Sequence, residues 1–277
     1  MIPNRLKQLW AEGKPTLNGW CSIGNPFTAE IMAAQGYDSV TIDVQHGALD
    51  YSSALPMMQA MRASGVVPMV RVPWREPGVI MKVLDAGAYG VICPMVNTAA
   101  QAAEFVSYMR YPPYGQRSFG PTRVSFAAGS NYAGGANDEI LAFAMIETQQ
   151  GMDNLAEIAA TPGLDGIYVG PADLTFSLAA GRLPPGFDRE EPEIIESLHE
   201  ILGACQDSGI RAALHCGTPE YAARAIGWGF NMTTVSGDSR LLAAAAGASV
   251  AQFRKLLSRD SVRVVDAEIS QKGCTSG

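Results

Sequence analysis

The chain contains 277 residues, of which 47% are hydrophobic and 17% are charged, and its formal net charge is −7. The length is that of one α/β barrel of about 250 residues, and the hydrophobic fraction suffices for a large core. The Lys and Arg residues are scattered, which argues against nucleic acid or an anionic membrane as the main partner, because both attract clustered cations.

The cysteines indicate a reducing environment. They form no CxxC pair, their number is odd, and three of them lie in apolar runs; they are Cys21, Cys93, Cys205, Cys216 and Cys274. Reduced and mostly buried thiols are therefore expected, which fits a cytoplasmic protein. The first fifteen residues contain no apolar signal segment, and no apolar run is long enough to span a membrane.

Eight short apolar runs follow one another along the chain. They predict strands at residues 19–24, 39–44, 67–72, 90–95, 141–147, 166–170, 211–216 and 231–236. Most of them are continuously apolar rather than alternating, which is typical of parallel strands covered on both faces.

Segments with helical spacing separate these runs, and several end at a glycine that could stop a helix: Gly36, Gly65, Gly87, Gly209 and Gly227. Eight strand–helix repeats predict an α/β fold, a single (β/α)8 TIM barrel over residues 1–257. A doubly wound open sheet is the alternative. Residues 258–277 are expected to form a polar C-terminal tail that is partly disordered.

Two connections are long and rich in Gly and Pro, at residues 110–138 and 177–191. Long connections in barrel enzymes often carry function or cover a site. We expect both to influence the size of the substrate pocket, although the first follows a helix, so that part of it must run on the opposite face of the barrel or return over the barrel.

Polar side chains end four of the apolar runs: His46, Arg71, Glu147 and Asp173. In a (β/α)8 barrel the carboxyl ends of all strands meet at one mouth, so these side chains are expected to converge there. A base, a cation and two carboxylates suffice for a metal-assisted carbon–carbon lyase.

Glu147 and Asp173 lie one strand–helix unit apart, so the two carboxylates can share one divalent cation. Mg²⁺ is usually held by one or two carboxylates together with substrate oxygens and water. The alternative is that each acid caps the helix that follows it.

His46 is predicted to be a general base with Asp43, three residues earlier, as its partner. The planar guanidinium of Arg71 suits a carboxylate or an enolate oxygen, and the alternative is a salt bridge to Asp43 or Glu147. The amides of Ala172 and Asp173, at a predicted helix start, could bind a substrate carboxylate. The chain has no GxGxxG or Walker motif, so no nucleotide cofactor is expected.

Six motifs in order resemble the HpcH/HpaI family of class II, metal-dependent pyruvate aldolases. They are DVQHG, RVPW, VLDAGAYGVICPMV, RYPPYGQRSFG, IETQQGMDNL and VGPADLTFS, and they span most of residues 20–242. The resemblance implies a (β/α)8 barrel that assembles as a homohexamer, a trimer of dimers. It implies reversible cleavage of 4-hydroxy-2-oxo acids to pyruvate and an aldehyde with Mg²⁺, Mn²⁺ or Co²⁺.

The resemblance also implies roles for individual residues. Glu147 and Asp173 match the metal ligands, Arg71 matches the group that binds the pyruvate keto oxygen, and His46 with Asp43 matches the base. Asp85 matches an acid that approaches the active site of the neighbouring subunit. Leu214 is expected to help line the aldehyde pocket, as are the apolar side chains Trp20, Phe119 and Phe176.

The sequence departs from the family pattern at Gln45, where an acid often precedes the histidine, and in the longer loop after GPADL. Besides the aldolase, two other interpretations remain open, a second and a third. The same enolate could arise by oxaloacetate decarboxylation or in a malyl- or citramalyl-CoA type lyase, although the paucity of Lys disfavours CoA. The third reading is a barrel that binds a 2-oxo acid without catalysis.

Overall fold

The computed structural model describes residues 1–272, and beyond residue 257 it describes the backbone only. Eight parallel strands form a closed barrel in sequence order. They are β1 Thr16–Cys21, β2 Ser39–Asp43, β3 Val67–Arg71, β4 Gly90–Cys93, β5 Leu141–Ile146, β6 Gly166–Val169, β7 Arg211–Cys216 and β8 Met232–Val235. The predicted (β/α)8 fold is therefore confirmed, and each predicted strand has an observed counterpart within three residues.

Helices alternate with the strands. They are α1 Arg5–Ala11, α2 Pro26–Ala33, α3 Tyr51–Met61, α4 Pro77–Ala86, α5 Ala99–Met109, α6 Arg123–Ala127, α7 Tyr132–Glu139, α8 Gln149–Asp153, α9 Leu155–Ala159, α10 Pro171–Leu178, α11 Pro192–Asp207, α12 Pro219–Trp228 and α13 Asp238–Lys272, with a 3₁₀ turn at Arg62–Ser64.

The chain divides into two compact units, Met1–Asp238 and Ser239–Gly277. This division lies upstream of residue 257, the expected end of the barrel domain. In the second unit the backbone is helical through Lys272, which includes residues 258–272 of the expected tail. Residues 273–277 of that tail, including Cys274, lie outside the described residues.

Side chains alternate between two cores along each strand, as the period of two requires. In β5, Phe143 and Met145 pack in the cluster inside the barrel, whereas Ala144 and Ile146 pack in the larger cluster between the sheet and the helices. Trp10 of α1 meets Phe143 edge-on, with 6.3 Å between ring centroids, and closes the floor of the barrel. Polar side chains that point inward must therefore gather near the mouth or bind one another.

Glycines end several helices as predicted. Gly65 and Gly87 adopt positive φ angles of 75° and 114° directly after helical segments, and Gly209, with φ of 68°, follows Ser208 at the end of α11. The prediction for Gly227 is wrong, because that residue lies inside α12 and Gly229, with φ of 118°, follows the helix. A left-handed residue satisfies the last helical carbonyls, and glycine adopts that conformation at little cost.

The 110–138 connection lies at the face where the strands begin. Within it, the carbonyl of Ala128 accepts from the amide of Ile2 at 2.7 Å, and Arg110 donates to the carbonyl of Ile140, just before β5, at 2.8 Å. Phe119 packs against Tyr111 in the same segment, with 5.8 Å between ring centroids. Within one chain this connection is therefore remote from the mouth, and the expectation that it and Phe119 shape the pocket is wrong for the same subunit.

The four cysteines among residues 1–272 are buried and form no disulfide. Burial raises the pKa of Cys205 to about 12 and that of the other three still further, so all four remain thiols. Within the described part of the chain, no helix has both the length and the apolar character needed to cross a bilayer.

Candidate active site

Glu147 follows β5 directly, and its side chain is only 3% exposed. One carboxylate oxygen, Oε1, accepts a hydrogen bond from the amide of Met95 at 2.8 Å. Met95 has a φ of 55°, a left-handed conformation that costs free energy in a non-glycine residue. The next helix is capped by Thr148, whose Oγ1 accepts from the Gly151 amide at 3.0 Å. The alternative that Glu147 serves as a helix cap is therefore wrong.

Gly170, at the end of β6, provides room for the other oxygen of Glu147. A Cβ atom at position 170 would lie 2.6 Å from Oε2 of Glu147, closer than real Cβ contacts allow. The backbone of Gly170 thus packs directly against this carboxylate, and only glycine, which has no Cβ, allows so close an approach.

Asp173 lies in the first turn of α10 and is exposed. The N-cap of this helix is Gly170, and no side chain caps it, so the alternative that Asp173 is the cap is also wrong. Ala172 and Asp173 are among the first residues of α10, where amide groups have no partner within the helix. Asp173 lines a cleft of about 500 Å³ together with Glu147 and Phe176.

The surroundings of Glu147 disfavour its ionised form. Burial, together with the negative charge of Asp173, raises the pKa of Glu147 to about 7, and the Met95 amide and the charge of Arg71 oppose this only in part. A buried carboxylate beside a second carboxylate is stabilised by a divalent cation, which prefers oxygen ligands. The pair therefore fits such an ion. Among the side chains that the structure describes, those of residues 1–257, no group of three or more His, Cys, Asp or Glu is arranged to hold a metal.

Arg71 and Asp43 form a bidentate ion pair at the mouth. The two residues are aligned across β2 and β3, and Nε and Nη2 of Arg71 donate to Oδ1 and Oδ2 of Asp43 at 2.9 and 2.6 Å. Burial raises the pKa of Asp43, but the hydrogen bonds and charge of Arg71 outweigh this effect and lower it overall. The third nitrogen, Nη1, has no hydrogen-bond partner among residues 1–257, whose side chains the structure describes.

This ion pair corrects the expected role of Asp43. The carboxylate also accepts from the amides of Gln45 and His46, at 3.1 and 3.2 Å, but no hydrogen bond joins it to the His46 ring within the described chain. Asp43 therefore fixes the turn that carries His46 and orients Arg71. The guanidinium takes the carboxylate because β2 and β3 place the two side chains opposite each other on the inner face.

His46 lies in the tight turn after β2, and its side chain is exposed at the mouth. Gly47 permits this turn, because a Cβ there would lie 2.3 Å from the carbonyl oxygen of Asp43. Gln45, the departure from the family pattern, has a buried Oε1 without a hydrogen-bond partner.

Trp20 lies beside the Arg71–Asp43 pair. Its Nε1 donates to Oδ2 of Asp43 at 3.2 Å, and Cζ of Arg71 lies 4.8 Å from its ring centroid. The ring therefore covers one side of the Arg71–Asp43 pair.

Two expected residues are placed elsewhere. Asp85 lies in the last turn of α4, at the face where the strands begin, and pairs with Arg117 at 2.6 Å. Within one chain it cannot reach the mouth. The expectation that Leu214 lines the pocket is wrong, because its side chain packs in the outer cluster between the sheet and the helices. Alternation along β7 turns the next residue, His215, inward instead.

Sequence reasoning missed Tyr168, Met95 and the contacts of His215. Tyr168 is fully buried inside the barrel, and its hydroxyl lies 3.0 Å from Nδ1 of His215. The sequence feature that could have found His215 is the one that marks His46, a polar side chain at the end of an apolar strand. No sequence signal marks Met95, since only its backbone takes part.

The family model for HpcH/HpaI aldolase/citrate lyase matches residues 18–245. Among curated proteins, the chain is 38% identical to the hydroxypyruvate/pyruvate aldolase of Rhizorhabdus wittichii, over 91% of this chain and 100% of that protein. It is 31% identical to the 5-keto-4-deoxy-D-glucarate aldolase of Klebsiella pneumoniae, over 92% and 98%. The crystal structure of an HpcH/HpaI aldolase/citrate lyase family protein from Burkholderia cenocepacia superposes with a TM-score of 0.83 at 31% identity, covering 91% of this chain and 99% of the other.

Proposed function

The chain belongs to the HpcH/HpaI aldolase/citrate lyase family, and from this premise we propose that it is a divalent-metal-dependent aldolase. It cleaves 4-hydroxy-2-oxo acids reversibly to pyruvate and an aldehyde. The observation that carries the proposal is the position of Arg71. Asp43 holds its guanidinium at the mouth, where its positive charge lowers the pKa of Glu147.

Glu147 and Asp173 would hold the metal ion. When bound, the ion supplies a positive charge that favours build-up of negative charge on the substrate's keto oxygen. Two observations support this assignment: the burial that raises the pKa of Glu147 would be offset by a bound cation, and Gly170 leaves space at Oε2 of that carboxylate. Titration with Mg²⁺, Mn²⁺ and Co²⁺ identifies the preferred metal.

Arg71 stabilises the enolate that forms when the carbon–carbon bond breaks. With Nε and Nη2 bound to Asp43, Nη1 donates to the oxygen on which the charge develops. Electrostatic stabilisation by a donor oriented in advance toward the developing charge is usually the largest contribution to catalysis. The amides of Ala172 and Asp173 bind the substrate carboxylate at the start of α10.

His46 removes the proton of the 4-hydroxyl group, either directly or through one water molecule. Loss of this proton converts the carbinol carbon into an aldehyde, and the electron pair of the breaking bond passes to the pyruvate fragment. The exposed position of His46 supports this role, because the ring can exchange its proton with solvent between turnovers.

We propose the homohexamer and the cytoplasmic location on the family resemblance. In that assembly, Asp85 would act at the site of a neighbouring subunit. Light scattering on the purified protein tests the assembly: a trimer of dimers is expected, and a monomer would leave Asp85 without a catalytic role.

The proposed reaction is tested by pyruvate release from a 4-hydroxy-2-oxo acid, with and without EDTA. Release should require the metal and should return when Mg²⁺, Mn²⁺ or Co²⁺ is added. Because the R. wittichii relative is named a hydroxypyruvate/pyruvate aldolase, hydroxypyruvate should be tested as a second enolate donor in the synthetic direction. Turnover that survives complete metal removal contradicts the mechanism, and failure with every aldol and with oxaloacetate favours the barrel that only binds.

A further inference from the structure

Arg75 lies behind the loop that binds Glu147. It follows β3 in the run RVPWRE, and its side chain is only 12% exposed. Its Nη1 donates to the carbonyl oxygen of Met95 at 3.1 Å, and its Nε donates to Oε2 of Glu104 in α5 at 3.4 Å. A largely buried guanidinium therefore binds the same residue whose amide donates to Glu147.

The backbone of Met95 is bound on both sides of its Cα atom. Its amide donates to Oε1 of Glu147 at 2.8 Å, and its carbonyl accepts from Arg75. The φ of 55° between these two groups is unfavourable for a residue with a Cβ atom, so the surrounding contacts must maintain it. A return to an ordinary negative φ would turn the amide relative to the carbonyl, and the two bonds could not both persist.

The other bonds of this loop hold the residues that follow Met95. The amide of Val96 donates to the carbonyl of Met145 at 3.3 Å, and Nδ2 of Asn154 donates to the carbonyl of Asn97 at 2.8 Å. Among residues 1–257, whose side chains the structure describes, only Arg75 binds the Met95 carbonyl through a side chain. The left-handed conformation thus depends on Arg75 more than on any other side chain described.

A simpler role for Arg75 would be an ion pair that fastens its loop to α5. Glu104, however, is 47% exposed and also accepts from the hydroxyl of Tyr108 at 2.9 Å. An ion pair with so exposed a partner contributes little to stability, because solvent screens it. A charged donor bound to a carbonyl forms a stronger hydrogen bond than a neutral donor does. The contact with Met95 is therefore the one expected to have consequences.

We propose that Arg75 is a positioning residue for Glu147, acting through the left-handed backbone of Met95. By binding the Met95 carbonyl, Arg75 keeps the Met95 amide directed at Oε1 of Glu147, and the amide orients the carboxylate. Groups that orient a metal ligand commonly affect metal affinity without touching the ion. This inference rests on the proposed function, in which Glu147 binds the metal, and adds a residue on which that binding depends.

The test measures the affinity of the full-length protein for Mn²⁺ by calorimetry. In Arg75→Gln the amide nitrogen takes the place of Nε and can still bind Glu104, but nothing reaches Met95. Arg75→Met removes both contacts and serves as the second variant. Each should weaken Mn²⁺ binding by about 10-fold, as for other groups that support metal ligands. The control Glu104→Gln keeps the Arg75–Met95 bond and should bind Mn²⁺ as the parent does.

Met95→Gly distinguishes positioning from a general loss of stability. Glycine adopts the left-handed conformation at little cost, so its amide depends less on Arg75. In the Met95→Gly background, Arg75→Gln should therefore weaken Mn²⁺ binding by less than about 3-fold, which makes the two substitutions non-additive. A role limited to the stability of the barrel would give the same loss in both backgrounds.

Amide hydrogen exchange in the metal-free protein separates this inference from the proposed function. The Met95 amide, followed by mass spectrometry, should exchange about 5-fold faster or more in both Arg75 variants, because the loop opens more often, and at the parent rate in Glu104→Gln. If the parent binds no Mn²⁺, the metal site of the proposed function fails, and exchange alone decides whether Arg75 holds Met95. Parent Mn²⁺ affinity in both Arg75 variants, parent exchange rates in both, or an undiminished loss in Met95→Gly overturns the role of Arg75.

Discussion

Arg71 binds Asp43 through two nitrogens because β2 and β3 pair these residues directly across the strand register. The ion pair is nearly buried, with side-chain exposures of 13% and 3%. The pair leaves Nη1 of Arg71 for the proposed substrate. The direction of Nη1 therefore depends on the carboxylate of Asp43, which need not touch the substrate itself.

Asp43→Asn should therefore damage catalysis by releasing Arg71. We expect kcat/KM for pyruvate release to fall by about 100-fold, the cost of misplacing a reacting group by about 1 Å. Because a nearly buried arginine loses its partner, the free energy of unfolding should drop by about 3 kcal/mol. Glu193→Gln removes an exposed partner of Arg182 and should change stability by less than about 0.5 kcal/mol. Equal activity in Asp43→Asn and the parent contradicts the role of the pair.

Gly170→Ala should weaken metal binding without touching a ligand. The added Cβ would meet Oε2 of Glu147 at 2.6 Å, so the carboxylate must move. Mn²⁺ affinity, measured by calorimetry, should fall by about 10-fold or more, as for other groups that support metal ligands. The matched control is Gly203→Ala in α11, where nothing lies within 4 Å of the new atom. Equal Mn²⁺ affinities in Gly170→Ala and the control would show that Glu147 needs no such space.

The raised pKa of Glu147 predicts how stability depends on pH in the metal-free protein. Between its ordinary value of 4.5 and about 7, the folded state binds a proton that the unfolded state has lost, so stability falls as pH rises through this range. Between pH 4.5 and 7 in EDTA, the free energy of unfolding of the parent protein should fall by at most about 3 kcal/mol relative to that of Glu147→Gln. Denaturant titrations at pH 4.5 to 8 measure this difference, and parallel curves for the two proteins contradict the assignment. Added Mg²⁺ should restore the parent above pH 7.

His46→Ala separates the general base from the rest of the site. Aldol cleavage should slow by about 10²- to 10⁴-fold, the usual contribution of a general base. Decarboxylation of oxaloacetate yields the same enolate without removal of a hydroxyl proton, so any such activity should remain. His199→Ala, on the exposed face of α11, is the control. Cleavage at the parent rate in His46→Ala would assign the base to another residue.

The sequence predicts the barrel well because eight continuous apolar runs can be buried on both faces in few other ways. It predicts α1 poorly, since only Leu6 and Trp10 of that helix are buried and two residues make a weak pattern. The stop of α12 was placed two residues early because Gly227 and Gly229 are alike in sequence, and only the backbone conformation distinguishes them.

The strand-end positions of the site were predictable, but the partners were not. Sequence proximity favoured His46 as the partner of Asp43, whereas the strand register brings Arg71 closer. Leu214 and His215 differ in the face of β7 that they occupy, and a one-residue error in register exchanges the two. The left-handed backbone of Met95, which turns an amide toward Glu147, leaves no trace in residue type.

The central claim is that Glu147 and Asp173 hold an ion with which Arg71 stabilises a pyruvate enolate. Deuterium incorporation into the pyruvate methyl group in D₂O, followed by mass spectrometry, tests it most directly because no aldehyde is required. The account predicts rapid exchange with Mg²⁺, Mn²⁺ or Co²⁺, none after treatment with EDTA, and none in Glu147→Gln with Mg²⁺ at the concentration that saturates the parent. Exchange that persists without metal, or its absence with all three ions, would contradict the account.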